Sequence, residues 1–171
     1  AIALVLAIFP LYGSYRGAAG PVLLARPLAI LLFLLTSVAF GAQGYSFWSN
    51  NNPAIVVTMR KKQLDHFAFT VLHELGHVFE HLQPNHTEEF LDIEYPNNDI
   101  DEKEQEANRF ASQCFIDDAV WQRFFNENAR FNYKNTEKQM VQLAYNLKIH
   151  PSIVLGRYCF ETNQFAVKTG I

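Results

Sequence analysis

The stretch Leu64-Asp-His-Phe-Ala-Phe-Thr-Val-Leu-His-Glu-Leu-Gly-His-Val-Phe-Glu-His-Leu82 decides how the rest of the chain is read. Within it Leu64, Phe67, Ala68, Val71, Leu72, Leu75, Val78, Phe79 and Leu82 recur every third or fourth residue. That apolar stripe, about five turns long, predicts an amphipathic α-helix. Pro84 marks its end, because proline lacks the N–H that a continuing helix needs. The polar residues His66, Thr70, His73, Glu74, His77 and His81 fall on neighbouring faces, which places these groups away from the hydrophobic seam.

Working outward, Tyr45-Ser-Phe-Trp48 and Ala54-Ile-Val-Val-Thr58 flank an Asn-rich turn closed by Pro53, a pattern that predicts two short β-segments. Glu89-Phe-Leu-Asp-Ile-Glu-Tyr95 alternates apolar and acidic residues and reads as a short extended segment. Helical patterns follow over about 101–115, 117–129 and 136–148, and a last one starts near Pro151, where proline suits a first turn. Strands first and helices afterwards imply an α+β domain.

The amino-terminal 40 residues are interrupted by charge only at Arg16 and Arg26 and hold two apolar runs, Ala1 to Phe9 and Leu28 to Leu35. A spanning helix needs about 20 apolar residues, which the second run reaches only by counting Thr36, Ser37 and later glycines. It reads more simply as a buried strand or a helix packed on all sides. No basic segment precedes the first run, so a signal peptide is not expected. The formal charge of −3 provides no overall basic field, which disfavours direct nucleic-acid binding. Cys114 and Cys159 lie far apart and outside any Cys-x-x-Cys spacing, and are expected to be small buried hydrophobes in a reducing, cytoplasmic compartment.

The chemistry lies in Val71-Leu-His-Glu-Leu-Gly-His-Val78, a His-Glu-x-x-His pattern on the helix just described. Residues four apart on a helix point the same way and stand about 6 Å apart, so His73 and His77 can reach one zinc ion. Glu74 then projects beside the metal, where it can take a proton from the nucleophilic water. Gly76 is expected to leave room at the metal. His81, about 12 Å along the axis from His73, is too far to join the same ion, and His66, His86 and His150 read as surface or loop residues. A hydrolytic zinc site needs a third protein ligand and an open position. Asp101-Glu-Lys-Glu-Gln-Glu-Ala-Asn108 opens a helix dense in carboxylates and offers Glu104 or Glu106. Glu104 is favoured, since Asn108 lies four residues on and can support a ligand histidine. For an oxyanion, Arg157 and Tyr95 are candidates from chemistry alone.

Four ordered anchors stand out: Asn52-Pro-Ala-Ile-Val-Val-Thr58, Phe67-Ala-Phe-Thr-Val-Leu-His-Glu-Leu-Gly-His77, Glu104-Gln-Glu-Ala-Asn-Arg-Phe-Ala111 and Ile149-His-Pro-Ser-Ile-Val-Leu-Gly-Arg157. Together they resemble the ImmA/IrrE-type zinc metallopeptidases, a family often attached to, or encoded beside, a phage-repressor-like helix-turn-helix protein. The resemblance implies a zincin-like fold over residues 29–171, with 1–28 an unassigned apolar segment. It implies zinc held by His73, His77 and Glu104, with Glu74 as catalytic acid/base. The implied activity is endopeptidase cleavage of a protein, such as a partner transcriptional repressor in a toxin–antitoxin-like system. The alternative is a regulatory or sensor domain of an antitoxin-like repressor. Where relatives often carry Leu-Leu-Met-Pro after the Ala-Asn helix, this chain has Cys114-Phe-Ile-Asp117, which leaves the metal-binding residues untouched.

Overall fold

The structure is a computed structural model that describes residues 3–7, 41–49, 52–58, 63–92, 101–128, 133–163 and 170–171. Its order is β1 (Ala3–Ala7), β2 (Gly44–Ser49), β3 (Asn52–Thr58), α1 (Leu64–Gly76), a π-helical turn (His77–Leu82), β4 (Glu89–Asp92), α2 (Glu102–Phe115), α3 (Asp118–Glu127), α4 (Tyr133–Leu147) and α5 (Pro151–Thr162). The expected α+β class is found, and the strand pair, the extended segment and all four later helices fall where the sequence pattern put them. The apolar run Leu28 to Leu35 and Tyr95 lie outside the described residues. Among the described residues no helix is long and apolar enough to cross a membrane.

The chain divides into two compact units, residues 1–62 with 67–111, and residues 63–66 with 112–171. In the first, a four-stranded antiparallel sheet has the order β1-β3-β2-β4. Ser49 pairs with Asn52, so β2 and β3 form a hairpin across a two-residue connection. Gly44 pairs with Val57 and Asp92, and Ser46 with Ile55 and Phe90. Side chains alternate between faces along a strand, and directly paired residues share a face. One face of the sheet therefore presents Gly44, Ser46, Trp48, Ile55, Phe90 and Asp92 together. Ile55 forms a buried cluster with Val78 and Leu82, and Trp48, Val71, Leu75 and Phe90 pack around it.

The helix that meets this face turns an unexpected side inward. His73, Glu74, His77, His81 and Thr70 are all buried, whereas Leu64 and Phe79, members of the apolar stripe, are 51% and 47% exposed. The expectation that the titratable groups project away from the buried seam is thus corrected: the histidines occupy the interior because they have one another and the side chains of α2 as partners, and Glu74 is buried beside them. Gly76 also serves differently from the expectation. A Cβ there would stand 3.0 Å from Ala107 Cα and 3.2 Å from the Ala107 carbonyl oxygen. Its lack of a side chain admits the backbone of α2, which carries Glu104, rather than clearing space at a metal.

The second unit is built around Ile116, Trp121, Phe124, Met140, Ala144, Val154 and Tyr158. Asp117 caps α3 by accepting from the Ala119 and Val120 backbone N–H groups, and His150 caps α5 with Pro151 in its first turn. Asn163, in the left-handed region at φ 54°, ends α5. Cys159 is buried as expected, but Cys114 is exposed on α2 and does not contribute to a core.

Candidate metal centre

Three elements of the first unit converge on the carboxyl-terminal end of α1. His73 Nε2 and His77 Nε2 stand 3.1 Å apart. Glu104 of α2 places Oε2 3.1 Å from His73 Nε2 and Oε1 3.3 Å from His77 Nε2. The two imidazoles and the favoured acid are therefore brought to one point. Glu106 is not part of that point, and its Oε2 lies 2.9 Å from His81 Nε2.

The triangle of donors can be tested against what a cation requires. Ligand atoms about 2.0–2.2 Å from a tetrahedral zinc ion stand roughly 3.3–3.6 Å apart. The observed separations of 3.1, 3.1 and 3.3 Å lie at that range or a few tenths of an ångström below it, and a donor set of two imidazoles and one carboxylate is compatible with zinc. His73, Glu74 and Asp92 form a second group whose ligand atoms lie within 4.8 Å of one another. It offers one imidazole instead of two, and Glu74 is the residue that the His-Glu-x-x-His pattern sets beside the metal rather than on it.

The surroundings fix each ring. His73 Nδ1 lies 3.1 Å from Asn108 Oδ1, the residue one turn beyond Glu104, so α2 supplies both an acid and a support for the first imidazole. His77 Nδ1 faces His81 Nδ1 at 3.1 Å. The Phe90 ring stacks on the His77 ring, centroids 4.3 Å apart and planes 13° apart. Between them the π turn widens the helix, with the Gln83 N–H donating to the Val78 carbonyl five residues back.

Glu74 is fully buried, and neither of its oxygens has a hydrogen-bond partner among the described residues. Burial pushes its carboxyl up to about 8, and the charges of Asp92 and Glu104 add to the effect. The positive field of His73 opposes it, as does the Ser46 hydroxyl, which lies nearby but out of hydrogen-bonding geometry. Glu104 goes the other way. Although burial works against its ionised form, its contacts with His73 and His77 hold it down at about 2. Burial likewise pulls His73 down, but the bond to Glu104 and the negative charges of Glu74, Asp92 and Glu104 leave it raised. For His77 burial wins, and its pKa is lowered.

The sheet contributes residues that the motif did not announce. A Cβ on Gly44 would lie 1.9 Å from Glu74 Oε1, 2.6 Å from Cδ and 2.8 Å from Cγ. The carboxyl of Glu74 thus rests directly on the bare backbone of β2. Ser46, Phe90 and Asp92 were also missed. The available signal was the alternation in 89–95, which puts Phe90 and Asp92 on one face, but nothing local says which helix that face meets. Of the oxyanion candidates, Arg157 is committed within the second unit. Its guanidinium donates to the Ser112 and Ile116 carbonyls, to Asp118 and to Glu161, and it sits over the Trp121 ring. His86 is exposed and stacks on Trp48, and His150 is a helix cap, in keeping with surface and loop roles.

A buried His-Glu-x-x-His helix backed by a small antiparallel sheet, with an acid supplied from a following helix, is an arrangement of the metallopeptidase kind. Residues 27–152 match the model of the family described as the IrrE N-terminal-like domain, a peptidase family, over roughly three-quarters of the chain. The chain belongs to this family, which makes it a peptidase-type hydrolase domain at family level. No curated protein and no solved structure matches it significantly.

Proposed function

We propose that residues 29–171 form a cytoplasmic zinc endopeptidase domain that cleaves a protein substrate, with a partner helix-turn-helix repressor as the candidate. The observation that carries this reading is the donor triangle of His73, His77 and Glu104 beside a buried Glu74 that has no hydrogen-bond partner among the described residues. A carboxyl buried without a hydrogen bond is costly, and a fold retains one where chemistry uses it. When bound, zinc supplies a positive centre that acidifies the attacking water, polarises the scissile carbonyl and draws the proton affinity of Glu74 down from its metal-free value.

The protein's own residues then divide the work. His73 and His77 present Nε2, and Glu104 its carboxylate, while Asn108 fixes the His73 ring by accepting from Nδ1–H. Glu74 accepts the proton of the attacking water at a carboxylate oxygen and returns it to the leaving amine. Gly44 lets that carboxylate lie against the strand, and Phe90 shields the His77 ring from solvent. Direct nucleic-acid binding is not part of the proposal, since the net charge of −3 supplies no field for it. The test is to measure zinc content and cleavage of candidate repressors for wild type and Glu74→Gln. The variant should keep its metal and lose cleavage, and equal activity of the two proteins would refute the role given to Glu74.

A further inference from the structure

The chemistry assigned so far leaves His81 and Glu106 unused, although both lie in one hydrogen-bonded line with His77. His77 Nδ1 stands 3.1 Å from His81 Nδ1, and His81 Nε2 stands 2.9 Å from Glu106 Oε2. Both imidazoles are buried, at 0% and 7% exposure, and Glu106 closes the line at the surface with 55% of its side chain exposed. We infer that His81 and Glu106 are positioning residues that fix the tautomer and ring orientation of His77 and thereby set how tightly the donor triangle holds its metal. The inference rests on the zinc reading above and deepens it.

A neutral imidazole carries one N–H and one acceptor nitrogen. His77 Nε2 faces His73 and Glu104, so as a metal donor it must be bare, and the proton of His77 sits on Nδ1. Among the described residues the polar atom opposite it is His81 Nδ1, which must then accept, leaving the proton of His81 on Nε2. That proton points at the Glu106 carboxylate, which only accepts. Every position is thus assigned in one direction, His77 to His81 to Glu106, and reversing any link would set two donors or two acceptors against each other. The π turn that contains both histidines and the Phe90 ring stacked on His77 hold the line in place. A histidine buried for packing alone would not need its two nitrogens matched to an N–H donor on one side and a carboxylate on the other.

The test compares zinc affinity, by chelator competition, for wild type, His81→Leu, His81→Asn and Glu106→Ala, with circular dichroism of the metal-free proteins as the folding control. Partners of ligand histidines are worth about 10–100-fold in metal affinity. His81→Leu should lose affinity in that range. His81→Asn, whose carboxamide oxygen reaches the place of Nδ1 as an acceptor, should recover most of it. Glu106→Ala should lose about tenfold, and because Glu106 is exposed this variant carries the test if His81→Leu fails to fold. Imidazole nitrogen spectra of the zinc-loaded protein should show His77 protonated at Nδ1 and His81 at Nε2. Wild-type affinity in the folded His81→Leu or Glu106→Ala protein, an Asn variant as weak as Leu, or the opposite tautomer at His81 would overturn the inference while leaving the metal site standing. Failure of the wild type to bind zinc stoichiometrically would remove the donor-triangle reading and this one with it.

Discussion

Gly44 is where the packing of the sheet and the chemistry of the site meet, and replacing it with alanine separates them. An added Cβ overlaps Glu74 at Oε1, Cδ and Cγ, 1.9, 2.6 and 2.8 Å away. Rotation of the terminal carboxyl alone clears only the oxygen, so the side chain must leave its position through its inner torsions. Gly44 is not in a positive-φ conformation, hence alanine brings no backbone strain and would by itself favour the strand by about 0.5–1 kcal/mol. Overpacking a filled interior costs about 1–3 kcal/mol, which outweighs that gain. Gly44→Ala should therefore lose stability in denaturant melts at fixed zinc. It should also lose about 10²–10⁴ in peptide cleavage, the range for a misplaced general base, with zinc content unchanged. The double-mutant cycle isolates the cause. In a Glu74→Ala background the overlap is gone, so Gly44→Ala should become neutral or mildly stabilising, giving a coupling of about 1–3 kcal/mol between two residues 30 apart in sequence. Equal effects of Gly44→Ala in both backgrounds, or full activity of the single variant, would refute the reasoning.

Other outcomes follow from the same geometry. Glu104→Ala should abolish stoichiometric zinc binding, whereas Glu106→Ala should retain a bound ion, and the two are compared by metal analysis after gel filtration. Gly76→Ala should cost roughly 1–3 kcal/mol in a urea melt, because its Cβ meets the backbone of α2 at 3.0–3.2 Å. In metal-free protein, Glu74 binds its proton more tightly when folded, at about 8 against an ordinary 4.5. The folded state then holds more protons between those values, so stability falls as pH rises from about 4.5 to 8 and levels off above. Glu74→Gln should remove that part of the slope, and identical pH profiles of the two metal-free proteins would count against it.

Much of this site was legible because its core is local. The spacing that puts His73 and His77 on one side of a helix needs no tertiary information, and the pairing of Glu104 with Asn108 is another one-turn relation. The helix ends and the hairpin announced themselves through Pro84, Pro151 and the Asn-rich turn. What the sequence hid is what depends on register and burial. Gly44, Ser46, Phe90 and Asp92 reach the site through strand pairing between segments more than 40 residues apart, and no local pattern encodes which strand meets which helix. The hydrophobic stripe misled about the polar face, since periodicity assumes that polar side chains seek water. Here they are buried against one another, so Leu64 and Phe79 are left exposed instead. Helical rise sets His81 about 12 Å along the axis from His73. It could not show that the ring would come to lie against His77.

The parity of β4 has a bearing on how chains of this kind can vary in length. Phe90 and Asp92 face the histidines, while Glu89 and Leu91 face away, and Tyr45 donates to Glu89 on that opposite side. Adding or deleting one residue within Glu89–Asp92 would exchange the two sets in a single step, replacing the ring behind His77 and the acid near Glu74 with residues of the outer face. The exposed turn from Gln83 to Thr87 carries no such constraint and can absorb extra residues ahead of the strand. Evolutionary indels should therefore collect on that turn and spare the four-residue strand beyond it.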